Sequence, residues 1–317
     1  MNKDFLSIAD LSTDEVWSLF ELANDLKAKQ NRGEPHDLLK GKTLGMLFMK
    51  PSTRTRISFE AGMFQLGGHA LYLSPAEIGL GTREATKDVA RVLSRYVDGI
   101  MARLFAHDVI LELAQYATVP VINGLTDLLH PCQIMGDMLT ILESRPSLYK
   151  QLRENRDGNF NKLVVAYIGD GNNVANSWIN MTLKIPFTFR VACPAGYEPN
   201  KQIVERAQTS GFGKVEILRD PMEAARGAHI LYTDVWASMG QEAEAAARRK
   251  LFKDYQINEA LMKVAAPDVR FMHCLPAHRD EEVTDAVMES PASIIFDQAE
   301  NRLHIQKAIL VKLMAGR

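Results

Sequence analysis

The feature that most constrains this chain is a rhythm that runs from one end to the other. Apolar runs of four to six residues, too short for helices, alternate with longer stretches of helical periodicity. Thr43–Phe48, Gly99–Ala102, Val119–Ile122, Leu163–Ile168, Ile230–Thr233 and Val269–His273 read as strands buried on both faces. Strands of that kind, separated by helices, pair in parallel and carry their ligands at their carboxyl ends. A length of 317 residues is more comfortable as two such bodies than one. The expected fold is therefore α/β, two domains, each a parallel β-sheet flanked by helices, with an active site in the cleft between them. The polar, turn-rich stretch 144–162 marks the boundary, giving domains 1–146 and 147–299, and the apolar-periodic helix within 300–317 is expected to return to the first domain.

Charge and cysteine usage exclude several classes. Lys and Arg number 37 against 39 Asp and Glu, a net charge of -2, so no general attraction to nucleic acid or to an anionic membrane is expected. Three cysteines without C-x-x-C spacing fit neither a disulfide framework nor a zinc ribbon, and a reducing cytoplasm suits them. The first residues lack the apolar core of a signal peptide, and no uncharged apolar run approaches the ~18 residues that span a bilayer.

The chemistry is expected after the strands. Thr43–Phe48 leads into Lys50-Pro51-Ser52-Thr53-Arg54-Thr55-Arg56, with Ser52 placed as a helix cap. A helix start offers unpaired N–H groups and a positive dipole end, and hydroxyls and guanidiniums added there make a phosphate cradle. By itself the motif could equally be a capped helix with its arginines in water. Arg103 closes another strand, and His130-Pro131-Cys132-Gln133 follows a third. An acyl phosphate needs a donor facing its carbonyl oxygen and an acceptor reading its amino group. Arg103 and His130 can donate, and Gln133 can accept.

In the second half, Gly169-Asp170-Gly171-Asn172-Asn173-Val174 is a glycine turn opening a helix. A dinucleotide fingerprint needs a third glycine where Val174 stands, so a small anionic group bound by Asn173 is the better reading. Two further strands end in Asp234-Val235-Trp236-Ala237-Ser238-Met239-Gly240 and in Cys274-Leu275-Pro276-Ala277-His278. His273, Cys274 and His278 do not make a metal site on spacing, because neighbouring strand residues point to opposite faces and a fourth ligand is lacking. Neither a metal nor a cofactor is expected.

Four motifs in order, Ser-Thr-Arg-Thr-Arg at 52–56, His-Pro-x-Gln at 130–133, Asp-x-Trp-x-Ser-Met-Gly at 234–240 and His-Cys-Leu-Pro at 273–276, give the chain a resemblance to the aspartate/ornithine carbamoyltransferase family over nearly its whole length. The last two resemble the ornithine branch. The resemblance implies transfer of a carbamoyl group from carbamoyl phosphate to the side-chain amine of ornithine. It implies that Ser52, Thr53, Arg54 and Thr55 hold the phosphate, that Arg103 bridges phosphate and carbonyl oxygen, and that His130 polarises that oxygen. Gln133 and the Leu275 carbonyl would bind the carbamoyl amine, with Arg302 a further contact. Asn173 would meet the α-carboxylate, Asp234 the α-amino group, and Ser238 and Met239 would close over the amino acid. Cys274, with Asp234, would steer the nucleophilic amine, and Cys274 would also border carbamoyl phosphate. A homotrimer with sites at subunit boundaries is implied as well. Gly79 departs from the pattern, since many relatives carry Gln or His there and lend it to a neighbouring subunit; the backbone or Arg83 would have to replace it.

Putrescine, N-acetylornithine and aspartate are the competing acceptors; a dinucleotide-dependent oxidoreductase and a non-catalytic regulatory subunit are the competing classes. The small, polar and charged residues of 238–249 point to a gate over the amino-acid site. Protease cleavage in that segment is expected to slow when both ligands are present, and an unchanged rate would count against gating.

Overall fold

The computed structural model describes residues 2–81, 83–154, 162–237 and 242–316. They form two compact units, Met1–Leu139 with Glu300–Arg317, and Thr140–Ala299. The division falls inside the helix Pro131–Ser144, a few residues ahead of the polar stretch.

The first unit is built on β1 (Thr43–Phe48), β2 (His69–Leu73), β3 (Gly99–Arg103) and β4 (Val121–Leu125), in the order β2-β1-β3-β4. The second holds β5 (Val164–Ile168), β6 (Thr188–Ala192), β7 (Lys214–Leu218), β8 (Ile230–Thr233) and β9 (Arg270–His273), in the order β7-β6-β5-β8-β9. Every pairing is parallel, and helices flank both sheets. In each sheet the order reverses at the first strand, between β1 and β3 and between β5 and β8. Chains leaving such a point diverge to opposite faces and open a crevice beyond the carboxyl ends. Lys50–Arg54 and Arg103 leave one crevice, and Gly169–Asn173 and Asp234 leave the other.

Packing follows from the residue choice. Leu44, Met46, Leu47 and Phe48 on β1 and Ile100, Met101 and Ala102 on β3 are all fully buried, as expected of central strands covered on both faces. In the second unit Trp178 lies against Phe189 (ring centroids 5.9 Å) and edge-on to Phe187 and Tyr232 (both 5.8 Å). Large flat side chains at these spacings fill the space between a helix and its sheet with little void. Glycine sets the approach of neighbouring backbone at several positions. The clearest is Gly171, where a Cβ would stand 2.3 Å from the Pro199 nitrogen.

Three strands escaped the sequence reading, β2 among them although residues 70–73 form an apolar run. β2 and β7 are edges, and β6 (Thr-Phe-Arg-Val-Ala) interrupts its run with Arg190, whose guanidinium pairs with Glu216 on β7 at 2.9 Å. β4 starts after Pro120 and continues through Asn123-Gly124, two residues later than the apolar pattern suggested, because its pairing with β3 extends through polar residues that face the interior. Part of the polar stretch 144–162 is a helix, Pro146–Glu154. None of the helices among the described residues is long and apolar enough to cross a membrane.

Candidate active site

In the first unit the helix Thr53–Gln65 begins as the sequence suggested. Ser52 is extended (φ -165°, ψ 114°), and its hydroxyl oxygen accepts from the Thr55 N–H at 3.3 Å. Thr53 is exposed, and Arg54 is half-buried with no ion pair among the described residues. Thr55 is fully buried, and its side-chain oxygen is where the site converges. The Ser52 hydroxyl lies 3.1 Å from it, Arg103 Nη1 reaches it at 3.4 Å, and Arg302 Nη2 donates to it as well. Arg103 is fixed by a second bond from Nε to the Lys50 carbonyl at 3.2 Å. Arg302 Nη1 donates to Gln133 Oε1 at 3.2 Å, and Gln133 Nε2 donates to the buried Asp137 at 2.8 Å. Lys50, whose Nζ binds Asp127 at 2.9 Å, completes the group.

Two guanidiniums directed at one neutral hydroxyl oxygen, both about 95% buried, gather positive charge at the positive end of a helix. His130 registers that field. Burial, then Arg302, Arg103 and Lys50, push its imidazole well below its ordinary value. It is therefore neutral at pH 7, and a neutral imidazole can donate to a carbonyl oxygen without giving up its proton. Ser52, Thr55, Arg103, His130, Gln133 and Arg302 are thus assembled in one place. Lys50, Asp127 and Asp137 belong with them and were missed, although Asp137 follows Gln133 by four helical positions, a spacing that puts both on one face.

In the second unit the focus is Asp234, 8% exposed, just past β8. Its Oδ1 accepts from Cys274 Sγ at 2.9 Å and from the Val235 N–H at 2.8 Å, and its Oδ2 accepts from Asn172 Nδ2 at 2.9 Å. A carboxylate has about four acceptor directions, so about one remains for a ligand. Asn172 was overlooked beside Asn173. It caps the helix Asn173–Thr182, its Oδ1 taking the Val174 N–H at 2.9 Å, and thereby ties that helix to Asp234. Asn173, half-buried, occupies the first helical position.

Cys274 and Leu275 are positioned from below. Leu275 has φ 58°, a left-handed conformation costly for a branched residue, and its N–H donates to His273 Nδ1 at 2.8 Å. His273 Nε2 then carries the proton and faces Glu282 Oε1 at 3.2 Å, where the His278 N–H also arrives at 2.6 Å. The ligand atoms of Asp234, His273 and Cys274 do lie within 4.8 Å of one another, so the argument from opposite strand faces fails. Both ring nitrogens of His273 are nevertheless engaged by protein groups, which leaves that side chain no lone pair for a metal.

The glycine turn after β5 is closed by the chain itself. Gly171 donates to the Tyr197 carbonyl at 2.9 Å, and the space its missing side chain leaves is taken by the backbone of Glu198 and Pro199. A dinucleotide fold reserves that approach for pyrophosphate. Asp170 pairs with Arg248 at 2.8 Å; burial pushes its carboxyl up against the pull of that guanidinium. Arg248 also donates to the Trp236 carbonyl at 2.9 Å, anchoring the helix Ala245–Phe252 beside the site. Ser238 and Met239 lie outside the described residues.

The carbamoyl-P binding domain of aspartate/ornithine carbamoyltransferases matches residues 3–143, and the Asp/Orn binding domain of the same family matches 161–313. The chain belongs to the aspartate/ornithine carbamoyltransferase family. It is 56% identical to an ornithine carbamoyltransferase of Syntrophotalea carbinolica, over 99% of this chain and 100% of that one. It is 51% identical to the anabolic ornithine carbamoyltransferase of Pyrococcus furiosus, over 99% and 97%. A solved structure of ornithine carbamoyltransferase from Pyrococcus furiosus superposes with a TM-score of 0.91 at 50% identity, covering 99% of this chain and 97% of that one. The chain is thus a carbamoyltransferase.

The position at which this carbamoyltransferase departs from its resemblance has a backbone explanation. Gly79 ends the helix Pro75–Ile78 with φ 56°, and a Cβ there would stand 2.6 Å from the Arg83 Cβ. Arg83 Nη1 donates to the Glu77 carbonyl at 3.1 Å, so the turn excludes a side chain at 79 and holds an arginine beside it.

The lowered His130 value carries a sign. Between its folded value and about 6.5, the unfolded chain binds a proton that the native state does not, so stability rises with pH through that window and levels off above it. His130→Gln is expected to reduce that slope by up to about 1.4 kcal/mol per pH unit. Urea unfolding of both proteins between pH 5 and 8 checks this; parallel profiles would mean that His130 is already charged in the native state.

Proposed function

We propose that this chain is an ornithine carbamoyltransferase in which carbamoyl phosphate binds at the start of the helix Thr53–Gln65 and L-ornithine binds around Asp234. The observation that carries the reading is the convergence of Arg103 and Arg302 on Thr55, with His130 neutral beside them. Full-length relatives bearing that name support the choice of acceptor.

In this reading Ser52, Thr53, Arg54 and Thr55 hold the phosphate and Arg103 spans phosphate and carbonyl oxygen. His130 donates to that oxygen as negative charge grows on it, and Gln133 with the Leu275 carbonyl takes the carbamoyl amine. Donors fixed before the reaction act on developing charge with no reorganisation at that moment. The δ-amine of ornithine has a lysine-like pKa near 10.4, so only about one molecule in 2,500 is neutral at pH 7. Asn173 and Asp234 orient the α-carboxylate and α-amino group, Ser238 and Met239 cover them, and Cys274 with Asp234 steers the amine. Attack of the amine nitrogen on the carbonyl carbon gives a tetrahedral oxyanion. Its collapse breaks the carbon–oxygen bond to phosphate, which departs into the helix start and takes the amine's proton, giving citrulline. Holding the two reactants at ~3–3.5 Å replaces a bimolecular encounter.

Two further parts of the proposal are a homotrimer and a cytoplasmic setting in arginine biosynthesis. Ile57 and Phe64, seven residues apart on one helix, are 57% and 80% exposed, an apolar stripe of the kind that a second subunit covers. Sedimentation equilibrium is expected to give three chain masses, and a monomer at micromolar concentration would remove the trimer.

The activity is tested by citrulline-type product formation with ornithine, putrescine and N-acetylornithine at equal concentration. Ornithine is expected to lead by at least ~10-fold, and a preference for either alternative would replace the acceptor. Arg54→Ala is expected to lower turnover ~100-fold or more, the usual effect of deleting one charge-stabilising donor; near-normal turnover would take Arg54 out of the site.

A further inference from the structure

A second set of metal-donor side chains lies in the turn that follows β9, within the second unit. His278, Glu281 and Glu282 each offer one ligand atom, and these atoms lie within 4.8 Å of one another. The set shares no residue with Asp234, His273 and Cys274, where both nitrogens of His273 are already engaged.

Glu282 singles this set out. It is fully buried, and its two oxygens differ. Oε1 faces His273 Nε2 at 3.2 Å and accepts from the His278 N–H at 2.6 Å. Oε2 is buried as well and accepts no hydrogen bond, with His278 Nδ1 standing 3.7 Å away, beyond hydrogen-bond reach. A buried carboxylate oxygen left in that state is costly, and an ion is one of the few ways to satisfy it. Glu281 is half-buried, and its Oε2 accepts from Arg249 Nε at 2.9 Å. Among the described residues Arg249 is the one arginine or lysine paired with either carboxylate, because Arg279 is taken by Asp285 and Glu289. The turn itself is held from outside. Gln256 Nε2 donates to the carbonyls of Asp280 at 3.0 Å and Glu281 at 2.8 Å, and the Ile257 N–H donates to the Glu282 carbonyl at 2.9 Å.

We propose that His278, Glu281 and Glu282 form a site for a divalent transition metal of the zinc class, with water as the fourth ligand. One imidazole nitrogen and two carboxylate oxygens suit such an ion, whereas magnesium favours oxygen alone in a near-ideal octahedron. Zinc holds these donors at ~2.0–2.2 Å in a tetrahedron, which places any two of them about 3.4 Å apart. The His278 side chain is 52% exposed, so its ring has room to turn inward and close the difference. The ion would compete with Arg249 for Glu281, and so with the contact that ties this turn to the helix Ala245–Phe252. It would also share Glu282 with His273, whose Nδ1 supports the Leu275 backbone.

The test is calorimetric titration of the whole protein, first stripped of metal with a chelator, with zinc chloride and separately with magnesium chloride. One zinc per chain is expected, bound at least 10-fold more tightly than magnesium. His278→Ala and Glu281→Gln should each weaken zinc at least 10-fold. His278→Asp, which keeps a donor atom, should recover binding and so separate a lost ligand from a lost fold. Arg249→Ala removes the competitor and should hold or increase the affinity, while Cys274→Ser should leave it within twofold of wild type. Cobalt(II) in place of zinc should show no thiolate charge-transfer absorption. Absence of zinc binding in the wild type overturns the proposal, as does binding that Cys274→Ser abolishes and His278→Ala leaves unchanged. Magnesium binding as tightly as zinc would overturn the metal class.

Discussion

Everything in the first unit turns on like charges held together out of water. Arg103 comes from the end of β3 and Arg302 from the last helix, and both direct guanidinium donors at the Thr55 hydroxyl in the first turn of a third element. Such an arrangement resists folding unless each group is hydrogen-bonded in place, and here the Lys50 carbonyl and Gln133 do that work. The same arrangement makes a ligand of opposite charge favourable, because an anion relieves repulsion that the fold has already accepted. His130 gains its chemical character here: a histidine in water would be partly charged near neutrality, while this one is kept uncharged first by its burial and then by its cationic neighbours.

In the proposed function the second unit has a different task, the orientation of an amine that is a poor nucleophile when protonated. Asp234 is held on both oxygens by Cys274, Val235 and Asn172, so it cannot swing to meet whatever arrives. A carboxylate immobilised in this way fixes the direction from which a donor must approach. Behind Cys274, the run of bonds from Leu275 through His273 to the buried Glu282 keeps a left-handed backbone in place. The cysteine is thus a hydrogen-bond donor in a fixed frame, a role that differs from the covalent nucleophile its chemistry could also suggest.

Both sites lie where a parallel sheet changes direction, and in each case the reversal is between the first strand of the unit and a later one. This placement explains why the chemistry-bearing residues are scattered: Ser52, Arg103, His130 and Arg302 leave separate strands or helices that meet only at the crevice. It also explains why Gly171 and Gly79 are needed as glycine. One lets the Glu198–Pro199 backbone press onto the turn, and the other ends a short helix against Arg83.

The sequence by itself determined the fold class and named candidate residues, several of which the structure gathers in one place. Buried central strands announce themselves as unbroken apolar runs because both of their faces are covered, and the motifs after them carry their chemistry in residue type and order. β2 and β7, whose residues mostly keep some exposure, were not read as strands, although β2 holds an apolar run and the edge strands β4 and β9 were read, and β6 hid behind Arg190, whose charge is answered by Glu216 on the next strand. Pairings between residues far apart along the chain were not legible. Arg302 was named as a contact, but that it meets Thr55, and that Asn172 holds Asp234, is decided only when the strands are laid side by side. Hydrogen-bond geometry depends on fractions of an ångström across hundreds of residues, and local pattern holds no record of such distances.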